Sequence, residues 1–335
     1  MIKTSLCGLT ADEIHELTGS EKRHAIAIAN SLYKKKISDI MLIPDIPLRI
    51  KKELKERFFP GIYPPAASRV SSDGTIKFLF RNDRGQEFET VLLKDKKRTT
   101  VCVSSQSGCR MGCPFCATGK YGFRGDLTVQ DILTQVLGIP YAGIVTHIVF
   151  MGMGEPLDNF GNVLKACKIL LAEWGLSISA RHITVSTVGI IPALRSFLEK
   201  INCNITLSLY SPFPDERYLA IPAERKYPAI EIIDLIKNHK PDKKRRFSVA
   251  YIMISNTTDT DNHLEGLKGL LRGTGIRVNL LPYHEIPGDN KITSSPERLQ
   301  YFKHELVISG ISASVRKSAG LDVSAACGLL ASGLV

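Results

Sequence analysis

From about residue 97 to about residue 315 the apolar positions alternate between two textures. Short runs rich in Val and Ile (TTVCVSS, IVTHIVFMG, HITVST, NITLSL, FSVAYIMI, IRVNLLPY and ISASVR) predict strands. Between them, TVQDILTQVLG, NVLKACKILLAEWG, PALRSFLEK, AIEIIDLIKN, HLEGLKGLLRG and SPERLQYFKHELVISG space their apolar residues as amphipathic helices do. Strand and helix in alternation predict an α/β protein whose parallel sheet is covered by helices, either a barrel or a doubly wound sheet. In such a barrel the chemistry sits at the carboxyl ends of the strands.

The amino-terminal part reads differently. It predicts three short helices, one through ADEIHEL capped by Thr10, one through EKRHAIAIANSLYKKK and one through PLRIKKELKERF. TIKFLF and FETVLL, joined by NDRGQE with its Gly85 turn, predict a hairpin. The expected organisation is an accessory domain over residues 1–96, the strand-helix domain over 97–320 and a tail over 321–335.

Composition narrows the partners. A 335-residue chain that is 44% hydrophobic buries a real core, which excludes disordered and collagen-like classes. With 44 Lys+Arg against 33 Asp+Glu the formal charge is +11, which favours a polyanion, nucleic acid first and an acidic membrane surface second. The positive groups are Lys34 to Lys36, Lys51 and Lys52, Lys94 to Arg98, and Lys240 to Arg246. No run of about 18 uncharged apolar residues occurs, and the first residues lack the apolar centre of a signal peptide. A cytoplasmic protein away from membranes is expected, with its cysteines reduced. No long heptad pattern or apolar stripe is present, so a monomer is expected.

After the first predicted barrel strand, SSQSGCRMGCPFCATG sets Cys109, Cys113 and Cys116 in a Cys-x-x-x-Cys-x-x-Cys loop. Thiolates select iron-sulfur, zinc or copper(I). A closed site takes four protein ligands, and the fourth is missing here. Either a distant side chain such as His147 completes a zinc site, or a four-iron cluster keeps one iron open. At the next strand ends, FMGMGEP brings Gly152, Gly154 and Glu155, STVG brings Ser186, and SLYSP brings Ser208. Glycines allow close backbone approach, and Glu155 can accept from a ligand amino group. Cys102 in TTVCVSS and Cys327 in LDVSAACGLL stand apart from the loop, whereas Cys7, Cys167 and Cys203 read as small buried hydrophobes.

The three-cysteine loop at a strand end resembles the radical S-adenosylmethionine (SAM) superfamily. Taken with FETVLL, FMGMGEPLDN, ITVSTVG, SLYSP, VNLLPY and VRKSAGLDVSAACG, the chain resembles the RlmN/Cfr family of ribosomal RNA methyltransferases over nearly its whole length. That resemblance implies a partial (β/α)6-type barrel and one [4Fe-4S] cluster held by Cys109, Cys113 and Cys116. It also implies two SAM molecules per turnover and a SAM site including Gly154, Glu155, Ser186, Ser208, Leu209, Tyr210 and His284. Tyr210 and His284 stand where the family commonly has His and Asn. Cys327 is implied as the methyl-carrying cysteine, Cys102 as the resolving cysteine and Glu89 as the proton acceptor. The implied substrates are adenine 2503 of 23S rRNA and some tRNAs, with flavodoxin or ferredoxin as a type of electron donor. Sister enzymes use the same cysteines on carbon 8, so the motifs leave the carbon open, while overall similarity favours carbon 2.

The chemistry of the residues accords with these roles. Carbon 2 of adenine lies between two ring nitrogens and is electron-poor, so it cannot attack the methyl of SAM. A thiolate can, and a methyl carried on sulfur becomes reactive toward that carbon once it loses a hydrogen atom. The base must leave its stack to be reached.

Overall fold

A computed structural model describes residues 3–331, apart from 96–97, 142–143, 240–244 and 287. Near the amino end, β1 (Thr4–Ser5) and β2 (Phe58–Phe59) pair in parallel and bracket α1 (Ala11–Thr18), α2 (Lys22–Tyr33) and α3 (Leu48–Arg57). Thr10 caps α1 in a reciprocal box: its hydroxyl accepts from the Glu13 N–H, and the Glu13 carboxylate accepts from the Thr10 N–H at 2.7 Å.

Next comes an antiparallel meander of β3 (Ala67–Val70), β4 (Ile76–Arg81) and β5 (Glu87–Asp95). The expected hairpin is β4–β5. The preceding β3 was not expected, because every residue of its ASRV segment is exposed and it carries no apolar alternation.

The remaining chain runs β6 (Arg98–Val103), β7 (Gln106–Ser107), α4 (Ala117–Tyr121), β8 (Gly125–Asp126), α5 (Val129–Leu137), β9 (His147–Phe150), α6 (Phe160–Leu171), β10 (Ile183–Thr187) and α7 (Ile191–Lys200). It continues with β11 (Asn204–Ser208), α8 (Pro214–Ala220), α9 (Ala229–Asn238), β12 (Phe247–Met253), α10 (Asp261–Leu271), β13 (Arg277–Pro282), α11 (Pro296–Ile308) and β14 (Ala313–Val315).

The order across the large sheet is β14-β13-β12-β11-β10-β9-β6-β5-β4-β3, and every pair from β6 to β14 is parallel. Each new strand is added on the same side as the last, with no reversal. That order belongs to a barrel and excludes a doubly wound sheet. Among the described residues β14 makes no pairing with β6, so the barrel is partial. The meander joins the same sheet through β5–β6, where Val91 faces Cys102. β5 and β6, on either side of the expected 96/97 boundary, thus belong to one sheet.

Strand alternation separates two environments. Val101, Ile148, Val185, Leu207, Val249 and Leu280 are buried toward the helices. On the opposite pleat Ser186, Thr206, Ser208, Ser248 and Asn279 line a polar bore, with Thr206 Oγ1 2.9 Å from Ser248 Oγ.

Candidate active site

The cysteine loop is built on backbone conformations that side chains resist. Gly108 has φ 72°, and a Cβ there would lie 1.6 Å from the Gly122 carbonyl oxygen. Only glycine fits, and the close approach lets Cys109 N–H donate to that carbonyl at 3.2 Å. Cys116 N–H donates to the Cys113 carbonyl at 3.2 Å, which curls the second half of the loop into α4. Cys109, Cys113 and Cys116 open on one cavity of about 190 Å³ at the carboxyl ends of the strands.

Four successive strand ends supply the remaining wall. After β9, Glu155 is buried and its carboxylate accepts from Leu157 N–H at 3.0 Å and Val188 N–H at 2.9 Å. Burial nevertheless dominates and pushes its pKa up to about 7. Ser186 and Ser208 end β10 and β11 with their hydroxyls 3.5 Å apart, and both line the cavity with Gly154 and His284. Tyr210 stacks on Phe115 at 5.0 Å and holds φ 64°, a left-handed conformation uncommon for a tyrosine. Arg217 braces that turn from below, donating to the Leu209 carbonyl at 3.0 Å and the Ser208 carbonyl at 3.2 Å while pairing with Glu224.

The Leu209 side chain differs from its two motif neighbours. It is buried away from the cavity lining, and its N–H and carbonyl are engaged by Ala250 and Arg217. Strand alternation turns it outward between two inward neighbours.

The carboxyl-terminal segment folds back over the mouth and places Cys327 in the same cavity as the three loop cysteines. Cys327 is exposed to the cavity yet closely surrounded by protein, and that crowding pushes its thiol up while Arg316 pulls it down. Cys102 lies beneath, buried on β6. Burial, then the nearby Cys327, raises its thiol well above the usual range. Two sulfurs that are 225 positions apart in sequence (327 − 102) are thus within electrostatic reach.

Glu89 does not line that cavity. It is fully buried in a second one, of about 520 Å³, which shares Tyr283 and His284 with the first. Lys77 Nζ lies 3.3 Å from its Oε1, and Ala331 N–H donates to its Oε2 at 3.0 Å. Replacing Lys77 with Met removes the cation beside a buried carboxylate. The variant is expected to lose about 3 kcal/mol of stability in denaturant unfolding, partly restored by adding Glu89→Gln.

Sequence reading missed Lys77, Gln106 and Arg217. Gln106 accepts from Glu155 N–H at 3.0 Å and donates to Asp126 and Asp158, tying the cysteine loop to the Glu155 turn. Its place in the SSQSGC run is the only local signal, whereas Lys77 and Arg217 look like ordinary surface residues of a strand and a helix. Arg245 moves the other way: it is buried, donating to the Cys203 and Leu198 carbonyls at 3.0 Å, and is no surface cation. Lys96, Lys97, Lys240, Lys243 and Lys244, of the predicted basic groups, lie outside the described residues. Cys7, Cys167 and Cys203 are buried in the core as expected.

His147 stands at the amino end of β9, opposite to the cysteine loop. The zinc alternative therefore loses the ligand named for it. The radical SAM superfamily model matches residues 103–270. A probable dual-specificity RNA methyltransferase RlmN from Parabacteroides distasonis is 41% identical over 331 residues, covering 98% of this chain and 96% of the relative. The dual-specificity RNA methyltransferase RlmN of Geobacter sulfurreducens is 34% identical, covering 96% of this chain and 91% of that one.

The chain belongs to the RlmN family of the radical SAM superfamily. A crystal structure of a radical SAM methyltransferase from Sphaerobacter thermophilus superposes with a TM-score of 0.91 at 35% identity, covering 98% of this chain and all of the other. Membership in the radical SAM superfamily implies a [4Fe-4S] cluster and SAM, and the cavity presents side chains of the chemistry each would need, although among the described residues the three thiols are not drawn together into a metal-ready cluster. The cavity offers three thiols, a buried carboxylate at the level of the rim hydroxyls, and glycines whose Cβ atoms would collide with the walls, Gly154 at 2.5 Å from Gln106 among them. No helix of the described residues is long and apolar enough to cross a membrane.

Proposed function

We propose that this chain methylates carbon 2 of an adenine in 23S rRNA, adenine 2503, and adenine 37 of some tRNAs, through an S-methyl group carried on Cys327. The reading is supported above all by Cys327 facing the cavity of the three loop cysteines, with Cys102 beneath it. Cys109, Cys113 and Cys116 would hold the cluster, and a flavodoxin or ferredoxin would feed electrons to a monomeric enzyme in the cytoplasm. When bound, the cluster and SAM supply a 5′-deoxyadenosyl radical.

The protein's own part falls to three side chains. Cys327, as thiolate, takes the methyl group from one SAM and releases S-adenosylhomocysteine. After hydrogen loss to the radical formed from a second SAM, the sulfur-bound methylene joins carbon 2 of the base. The adduct would then give one electron back to the oxidised cluster and its carbon-2 proton to Glu89. Cys102 attacks the Cys327 sulfur, the carbon–sulfur bond breaks with its electron pair on carbon, and that carbon takes a proton. The products are 2-methyladenosine, S-adenosylhomocysteine, methionine, 5′-deoxyadenosine and a Cys102–Cys327 disulfide that an external thiol reductant must reopen.

Anaerobic incubation with methyl-labelled SAM and unmodified rRNA fragment tests the reading. Label is expected first on Cys327 and then in 2-methyladenosine; 8-methyladenosine would transfer the assignment to carbon 8, and label reaching RNA without residence on Cys327 would overturn it. Glu155 gives a second check. With its pKa raised to about 7, it is half protonated in the free enzyme at pH 7, and contact with the SAM ammonium favours its carboxylate. SAM binding near pH 7 is therefore expected to release about half a proton, falling toward zero as pH rises. Calorimetry in two buffers of different ionisation heat should detect it, and Glu155→Gln should abolish it.

A further inference from the structure

The amino-terminal mouth of the barrel bore gathers cations that the chemistry above does not use. Arg98 begins β6, Arg181 and His182 precede β10, Arg246 precedes β12, and all three arginines are exposed. They are held together by the fold. Asn204 donates to the Arg181 carbonyl at 2.8 Å and accepts from Arg246 N–H at 3.0 Å, so both residues are fastened to the start of β11. The His147 and His182 rings lie 4.3 Å apart beside them. Arg98 Nε donates to Thr100 Oγ1 at 3.1 Å, which ties its guanidinium to the start of β6.

Arg316, just past the edge strand β14, donates to Asn279 at 3.1 Å and faces the same space across the unpaired side of the barrel. Arg98 is held below its usual range by burial, then by Arg316 and Arg246, with Asp95 alone acting the other way. Burial and neighbouring cations also press both histidines toward the neutral form, to about 4 for His147. Among the described residues none of these four arginines forms an ion pair. Assembling like charges without counter-charges is unfavourable unless an anion completes the group.

We propose that Arg98, Arg181 and Arg246, with His147 and His182, form a phosphate site that grips the backbone of the RNA substrate on the side of the barrel away from the cysteine loop. The cavity residue Met151 lies four residue steps beyond His147, roughly 13 Å along the strand. A flank of the RNA passing the open side of the barrel, where Arg316 stands, would reach the site while the target base occupies the catalytic end. The proposal rests on RNA being the substrate. Its test therefore measures binding without turnover.

The reconstituted full-length enzyme would be titrated with a fluorescent unmodified rRNA fragment at several NaCl concentrations. Arg98→Gln and Arg246→Gln are each expected to weaken binding several-fold and to lower the slope of log affinity against log salt by about one. Arg98→Lys and Arg246→Lys should restore most of both, which separates lost charge from lost folding. RNA-free methylation of Cys327 should be unchanged in all four. In a second arm, inorganic phosphate is added and the His147 and His182 ring resonances are followed by NMR. Shifts with RNA that the Gln variants abolish support the site. Shifts with inorganic phosphate alongside wild-type RNA affinity in the Gln variants would mean a free-anion site and overturn the RNA assignment, as would unchanged affinity and salt slope with no shifts. Loss of methylation chemistry with binding intact would instead count against the proposed reaction and leave this site standing.

Discussion

Enzyme carrying Cys102→Ala is expected to accumulate RNA covalently attached to Cys327, with turnover reduced at least about a thousandfold, because the loop cysteines that share the cavity would be occupied by the cluster and Cys102 is the thiol left to attack the sulfur. Cys102 is buried on β6 within electrostatic reach of Cys327. Its thiol, held well above the usual range, is a poor nucleophile until its proton leaves. Release from the adduct in wild-type enzyme should therefore quicken as pH rises, whereas the Cys102→Ala adduct should persist at every pH. Cys327→Ala should give neither adduct nor methylated RNA. Denaturing gels with labelled RNA distinguish these outcomes, and free turnover by the Cys102→Ala variant would contradict the assigned role.

Loosening the tail should do nearly as much damage without touching any reacting atom. Two carboxylates clasp the tail to the β3–β4 turn in opposite directions. Asp73 accepts from Gly320 N–H at 2.8 Å and Thr75 N–H at 2.9 Å, which holds its pKa down to about 2. Asp322 accepts from Ser71 Oγ at 2.5 Å and Ser72 N–H at 2.9 Å, and these bonds lower its carboxyl too. Beyond them, Lys77 donates to the Ser324 carbonyl at 3.4 Å, Ala117 N–H to the Gly328 carbonyl at 2.8 Å, and Thr118 to the Leu330 carbonyl at 2.5 Å. Cys327 sits between these ties.

Replacing both clasp residues with Ala is expected to lower RNA methylation about a hundredfold, since misplacement of about 1 Å is enough to cost that much. SAM cleavage at the cysteine loop should continue, so 5′-deoxyadenosine would form in excess of methylated adenosine. That uncoupled ratio, measured by chromatography, separates a positioning defect from a folding one. Both carboxyls have lowered folded-state pKa values, so their contribution is present above the unfolded values near 4 and is lost as pH falls through the folded ones, about 2 for Asp73. The clasp should stay closed across the working pH range.

Much of this was legible in residue order because its signals are local. Val- and Ile-rich runs alternating with helical spacing announced a helix-covered parallel sheet, though not whether it closes as a barrel, and the Cys109–Cys113–Cys116 loop carried its own geometry in the spacing and in Gly108. What stayed hidden depends on neighbours remote in sequence. The outward turn of the Leu209 side chain is one such feature, because a motif names adjacent residues while the pleat turns every second one away. Lys77 and Arg217 escaped notice because a lysine in a strand and an arginine in a short helix look solvated until packing buries them.

Local physics written along the chain was sufficient for which elements form, which loop gathers thiols, and which two isolated cysteines stood out. Chain order could not say that the barrel stays open beside β14, that the tail returns so that Cys327 faces the loop, or that Glu89 lies in an adjoining cavity against Lys77. Those facts arise from contacts between segments up to 251 positions apart (322 − 71). Such contacts exist only once burial and hydrogen bonding have outweighed the entropy of bringing the segments together.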